Sequence, residues 1–237
     1  MVVARRYRAS AHIWVVLFWV GFISGRAASA QATTQFWPEV STFVRLNPNL
    51  RFYFLATTTQ EDGVRTGAEF GPNLDFYFKP LVKLQRLEQG DPDQAKKRLL
   101  TFRIGYRYLP SPDTPAENRG VLEATPRFPF SLGLLFSDRN RIDLRGMEGK
   151  FSWRYRNRMM IERETAIHQY HFAPYVRSEV FYDSNPEKWS RTTVSAGAAF
   201  PTWKRFEMEP YFEHMNDTGG PSNRQVNAIG LAANLFF

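Results

Sequence analysis

The feature that most constrains the fold is a period-two alternation that returns along nearly the whole chain after residue 30. In Leu99–Tyr108, Leu100, Phe102, Ile104, Tyr106 and Tyr108 fall on one side, while Thr101, Arg103, Gly105 and Arg107 fall on the other. Successive side chains of a strand point to opposite faces, so this segment has one apolar and one charged surface. The split recurs. Phe36, Val40, Val44 and Leu46 oppose Trp37, Glu39, Ser41 and Arg45, and Leu50, Phe52 and Phe54 oppose Arg51, Tyr53 and Thr57. Trp153, Tyr155, Met159 and Ile161 oppose Arg154, Arg156, Arg158 and Glu162. Tyr170, Phe172, Val176 and Val180 oppose His171, Tyr175, Arg177 and Glu179. Phe206, Met208, Pro210 and Phe212 oppose Glu207, Glu209, Tyr211 and Glu213.

Turn signals separate these runs, among them Asn47-Pro48-Asn49, Glu61-Asp62-Gly63, Asp183-Ser184-Asn185-Pro186 and Asp217-Thr218-Gly219-Gly220. Eleven strand segments result, near 36–46, 50–59, 67–79, 98–108, 119–128, 133–145, 151–162, 169–182, 189–200, 206–214 and 225–237. Only Leu81 to Lys97 breaks the series; it is charged and reads as a loop with a helical turn. The pattern predicts an all-β chain folded as an antiparallel up-and-down transmembrane β-barrel. Single-chain bacterial barrels have an even number of strands, so the expectation is about 12, with 10 as second choice.

The N-terminal residues read differently. Arg5, Arg6 and Arg8 precede an apolar run from Ile13 to Ile23, and Ala28-Ser29-Ala30 forms an A-x-A cleavage pattern. The run is shorter than the ~20 residues a helical span needs. Residues 1–30 are therefore expected to be a cleaved signal peptide and 31–237 the barrel. Residues 1–30 hold four arginines and no acidic residue, so the remainder has 31 less 4, or 27, basic residues against 23 acidic. The overall charge of +8 is thus no argument for a nucleic-acid partner. The absence of cysteine excludes disulfides, thiol catalysis and thiolate metal sites.

A cation facing hydrocarbon at the midplane of a bilayer costs ~2–4 kcal/mol, so the charged faces should line the lumen. Candidate lining residues are Arg103, Arg107 and Glu123, then Arg139, Arg141, Asp143 and Arg145 on one strand. Arg154, Arg156, Arg158 and Glu162 follow on its neighbour, then Arg177 and Glu179, and finally Glu207, Glu209 and Glu213. Arginine pairs with carboxylates bidentately and stays charged, so one reading is a network that fills a narrow barrel. A second is a cationic lining that draws anions through a pore. A third is an outer-membrane lipid-modifying hydrolase of the lipase or deacylase type. None of His168, His171 and His214 shows the His-x-Ser spacing such an enzyme would use. His168 and His171, three apart on a strand, do not share a face for a metal.

The last strand places Ile229, Leu231, Ala233, Leu235 and Phe237 on one face, with Gly230, Ala232 and Asn234 on the other. A terminal Phe on such a strand, with Leu235 two residues before it, resembles the signal that the barrel-assembly machinery reads. Several segments resemble a known family. They are Trp37-Pro38-Glu39, Gly105-Tyr106-Arg107-Tyr108, the run from Ser137 to Arg145, Ser152 to Arg158, Glu179-Val180-Phe181-Tyr182 and Glu209-Pro210-Tyr211-Phe212-Glu213. Together they resemble the bacterial domain-of-unknown-function family 2490, over about Gln35 to Phe237. The resemblance implies secretion and an outer-membrane barrel, and it implies no activity. The expectation is a monomer in outer-membrane lipid, met by the assembly machinery during biogenesis, with no cofactor or metal. Its role would be structural or that of a narrow channel with an Arg/Glu-lined lumen.

Overall fold

A computed structural model describes residues 32–80, 93–112, 114–168, 170–220 and 222–237. The leader expected at 1–30 lies outside the described residues, as does the 81–92 part of the charged loop. Twelve strands run in chain order: β1 (Thr33–Asn47), β2 (Leu50–Glu61), β3 (Val64–Pro80), β4 (Arg98–Leu109), β5 (Glu117–Pro129) and β6 (Leu134–Met147). They continue as β7 (Lys150–Arg163), β8 (Thr165–Ile167), β9 (Tyr170–Asp183), β10 (Lys188–Trp203), β11 (Phe206–Asp217) and β12 (Arg224–Phe236). Two short 3-10 turns, Gln94–Lys97 and Ser131–Gly133, complete the described secondary structure.

Each barrel strand pairs antiparallel with the next, and β1 closes the circle on β12 in parallel, from Thr33↔Val226 to Phe43↔Phe236. The seam continues past β12, where the Phe237 amide donates to Phe43 O and the Arg45 amide donates to Phe237 O. The short β8 pairs with β9 in the register that β7 already holds, since Glu162↔Tyr175 is followed by Thr165↔Phe172. It prolongs the seventh strand beyond a break at Glu164 and adds no stave. The result is a closed eleven-strand mixed barrel plus one extra strand, and its staves match the eleven alternating segments one for one. The step from eleven to twelve rested on parity, and parity binds only when every neighbouring pair is antiparallel. One parallel pair frees the count to be odd.

Local chemistry fixes the hairpins. Asp62-Gly63 and Glu148-Gly149 both hold positive φ at their two central residues, the type I′ geometry whose twist matches the flanking strands. Within the strands the alternation sends apolar side chains outward: Phe102, Ile104, Val176, Phe212 and Ile229 are all exposed. Polar and charged residues fill the interior, where Asp75, Asp143 and Arg107 are almost wholly buried. This inverts the usual rule that apolar groups go inside and ions outside. One interior joint explains a glycine. Tyr211 stands opposite Gly230 in the β11–β12 register, and a Cβ on Gly230 would lie inside the tyrosine ring. The ring therefore lies flat across the bare backbone.

Candidate functional site: a charged chamber inside the barrel

Neighbouring staves bring like charges face to face. Arg139 stands opposite Arg158 and Arg141 opposite Arg156 across β6–β7, while Arg107 opposes Arg119 across β4–β5. Directly opposed like charges destabilise a sheet, so each arginine group needs a carboxylate from elsewhere. Glu179 on β9 supplies the largest share. It accepts from Arg139 Nη2 at 2.7 Å, Arg156 Nε at 2.8 Å, and Arg158 Nε and Nη2 at 2.9 and 2.7 Å. Asp143 accepts from Arg141 Nε at 2.6 Å and lies 3.8 Å from Arg119 and Arg156. Asp75 on β3 accepts from both Arg51 and Arg103. Glu117 joins Arg119 and Arg145, and Asp183 joins Arg145 and Arg154. Aromatic faces support several guanidinium groups: Arg103 lies 4.3 Å from the Tyr53 ring centroid and Arg156 4.5 Å from that of Phe181.

Every lining candidate read from the sequence lies on an inward-facing position of this network or of the wall opposite it. Arg103, Arg107, Glu123, Arg139, Arg141, Arg154, Arg156, Arg158, Glu162, Arg177, Glu179, Glu207, Glu209 and Glu213 surround a cavity of about 550 Å³. Asp143 and Arg145 are not in the lining itself; Asp143 accepts from Arg141, and Arg145 donates to Glu117 and Asp183. Leu235 and Phe237, the proposed assembly signal, lie on the outer face at one rim, with the Phe237 ring half exposed.

The two ends of the cavity are lined by different residues. Phe43, Asn234, Glu207 and Glu162 sit towards one rim, and Trp37, Thr59, Leu109 and Arg191 towards the other. At the first rim the Gln94–Lys97 turn comes inward. Asp93 accepts from Arg51 Nη1 at 2.7 Å and from its own Ala95 amide at 2.9 Å, and Lys96 Nζ lies 3.2 Å from Glu162. Ala95 between them is buried. Burial opposes ionisation of Asp93, yet Arg51, Lys96 and the Ala95 amide hold its carboxyl down at about 2. The alternation could not reveal this contact, because the turn lies where the period lapses.

Charge is distributed unevenly around the ring. In the stave order, β5 and β6 lie diametrically opposite β12, which is flanked by β11 and β1. The first pair presents Arg119, Arg127, Arg139 and Arg141 with the single carboxylate Glu123 to the cavity; the second side presents Glu207, Glu209, Glu213 and Glu39. Neutral groups donate to each of these opposite carboxylates. Glu39 accepts from Ser41 Oγ at 2.9 Å, Glu213 from Ser195 Oγ at 2.6 Å, Glu207 from Asn234 Nδ2 at 3.0 Å, and Glu209 from the Tyr175 hydroxyl. Arg177 is the cation among them, 3.6 Å from Glu209 and 3.4 Å from Glu213. A lining of one sign, the second reading of the sequence, is not what the strands build.

Among the described residues the histidines stand apart from this chamber. His214 Nδ1 meets Asn227 Oδ1 at 2.8 Å on an exposed face, and His171 lies 3.9 Å from Glu164. The positions two residues either side of His214 on β11 hold Phe212 and Asn216, so a serine does not share its face there. Among the described residues no cluster of three or more His, Asp or Glu could hold a metal.

A family model described as "Protein of unknown function (DUF2490)" matches residues 94–225, from the inward turn to the start of β12. No curated protein matches the chain.

Proposed function

The chain belongs to the DUF2490 family, whose description carries no activity, and from the geometry we propose that it is an outer-membrane barrel working as a narrow, water-filled channel. The observation that carries the proposal is a polar cavity whose lining runs from rim to rim inside a barrel with an apolar exterior. Closing the sheet pairs every edge, the condition for strands to cross hydrocarbon. No helix among the described residues is long and apolar enough to span a membrane, so crossing would fall to the strands. Spread over an apolar band of ~25 Å, a cavity of 550 Å³ averages ~22 Å² in cross-section. That admits water, ions and small polar solutes and excludes the larger cargo of wide porins. In this reading residues 1–30 form a cleaved signal peptide, Leu235 and Phe237 address the chain to the barrel-assembly machinery, and the mature protein is a monomer in outer-membrane lipid.

Single-channel recording of the refolded chain in planar bilayers tests the proposal. Small, stable conductance steps with weak selectivity between potassium and chloride are expected, because the interior charges largely pair. Silence from a barrel that is folded and heat-modifiable would refute the channel and leave a structural role.

A further inference from the structure

We propose that the chamber binds small zwitterionic solutes, with an oxyanion end against the arginines of β5 and β6 and an ammonium end against the carboxylates of β11 and β1. The proposal deepens the channel reading but needs only the cavity, not conduction. Three observations carry it. The two groups sit at opposite poles of the ring and line one continuous cavity. They differ in how their charge is compensated. On the β6–β7 side Glu179 is met by three guanidinium groups, and Glu123 and Asp143 lie among further arginines although one oxygen of each is left without a hydrogen-bond partner; on the opposite side Glu39, Glu209 and Glu213 accept from hydroxyls, with Arg177 shared between the last two. Finally, Arg141 Nη2 is buried without a hydrogen-bond partner, 3.9 Å from Glu69 Oε1.

These features rank solutes by charge pattern. A monoanion gains at the arginine wall and is repelled by the facing carboxylates; a monocation meets the reverse. A neutral molecule gains little from either. A zwitterion can satisfy both walls at once, and its own dipole aligns with the field across the chamber. The volume, about 550 Å³, lies within the ~300–1,000 Å³ of ordinary small-molecule sites.

The test uses four probes of matched size: γ-aminobutyrate, butyrate, butylammonium and butyramide. Their binding to the refolded barrel in micelles is measured by NMR titration, which requires no current, so a silent but folded barrel would still give an answer. γ-Aminobutyrate should bind at least about tenfold more tightly than each of the others. The double variant E209Q/E213Q should shift the preference to butyrate, and R139Q/R141Q should shift it to butylammonium. A parent barrel that ranks butyrate, butylammonium or butyramide level with γ-aminobutyrate overturns the proposal. So does a preference that survives neutralising either wall. Should a double variant fail to fold, the ranking on the parent decides alone.

Discussion

Replacing Glu179 with glutamine should be among the most destabilising isosteric changes in this barrel. The carboxylate is 2% exposed and receives four hydrogen bonds from three guanidinium groups. Glutamine keeps the volume, so packing is not the variable. It removes the charge and turns one acceptor into a donor aimed at cations. The nearest substitute carboxylates are 3.8 Å away: Glu123 from Arg139, and Asp143 from Arg156. Removing one partner of a buried ion pair costs ~3–5 kcal/mol, and three orphaned arginines place Glu179→Gln in the upper part of that range. The rim pair Arg224–Glu61 is the control. Its arginine side chain is 51% exposed, and exposed pairs contribute ~0–1 kcal/mol. Equilibrium unfolding in urea from lipid vesicles, followed by tryptophan fluorescence, compares the two. Adding Arg158→Gln to Glu179→Gln should recover part of the loss, a coupling that a double-mutant cycle isolates. If Glu179→Gln destabilises no more than Arg224→Gln, the interior is so well hydrated that the ion network does not hold the barrel.

Three further predictions concern the turn, the tyrosine joint and the seam. Asp93 is held at about 2 in the folded chain, below its unfolded value of ~3.9. Its contribution is therefore complete above pH 4 and lost as pH falls from there towards 2. The linkage amounts to about 2.6 kcal/mol, so the stability gap between parent and Asp93→Asn should close across that window. Gly230→Val should displace the Tyr211 ring and cost ~1–3 kcal/mol as an overpacked site, while Gly63→Ala, with open space at its Cβ, should cost only the strain of its positive φ. The pair Thr42→Cys and Leu235→Cys, opposite each other across the parallel seam, should crosslink on mild oxidation in a chain with no other cysteine. Absence of that crosslink in folded protein would refute the eleven-stave closure.

Most of the fold is legible in the sequence because the alternation is local. Phe102 facing out and Arg103 facing in follow from adjacent positions on one strand, with no knowledge of the rest. The same signal marks Glu69 and Asp75 on β3, between Phe70, Leu74 and Phe76, as inward carboxylates; they belong to the chamber although the strong arginine runs draw the eye first. What is not local stays hidden. No pattern within β1 or β12 says that they meet in parallel, and this is why parity misleads. Nor does periodicity say that Glu179 serves three arginines on two other strands, since that depends on register across β6, β7 and β9. Asp93 and Lys96 lie in a charged turn whose sequence looks like any solvated loop. Only the positions of Arg51 and Glu162 explain why that turn comes inside.

The parallel seam has a consequence for sidedness. A chain that crosses a barrier an odd number of times leaves by the side opposite to the one on which it started. The Thr33 end of β1 and the Phe236 end of β12 therefore open onto different compartments in any membrane the barrel occupies. A reporter joined ahead of Thr33 and another joined behind the last strand would be delivered to opposite sides, and protease added to one side should remove one and spare the other.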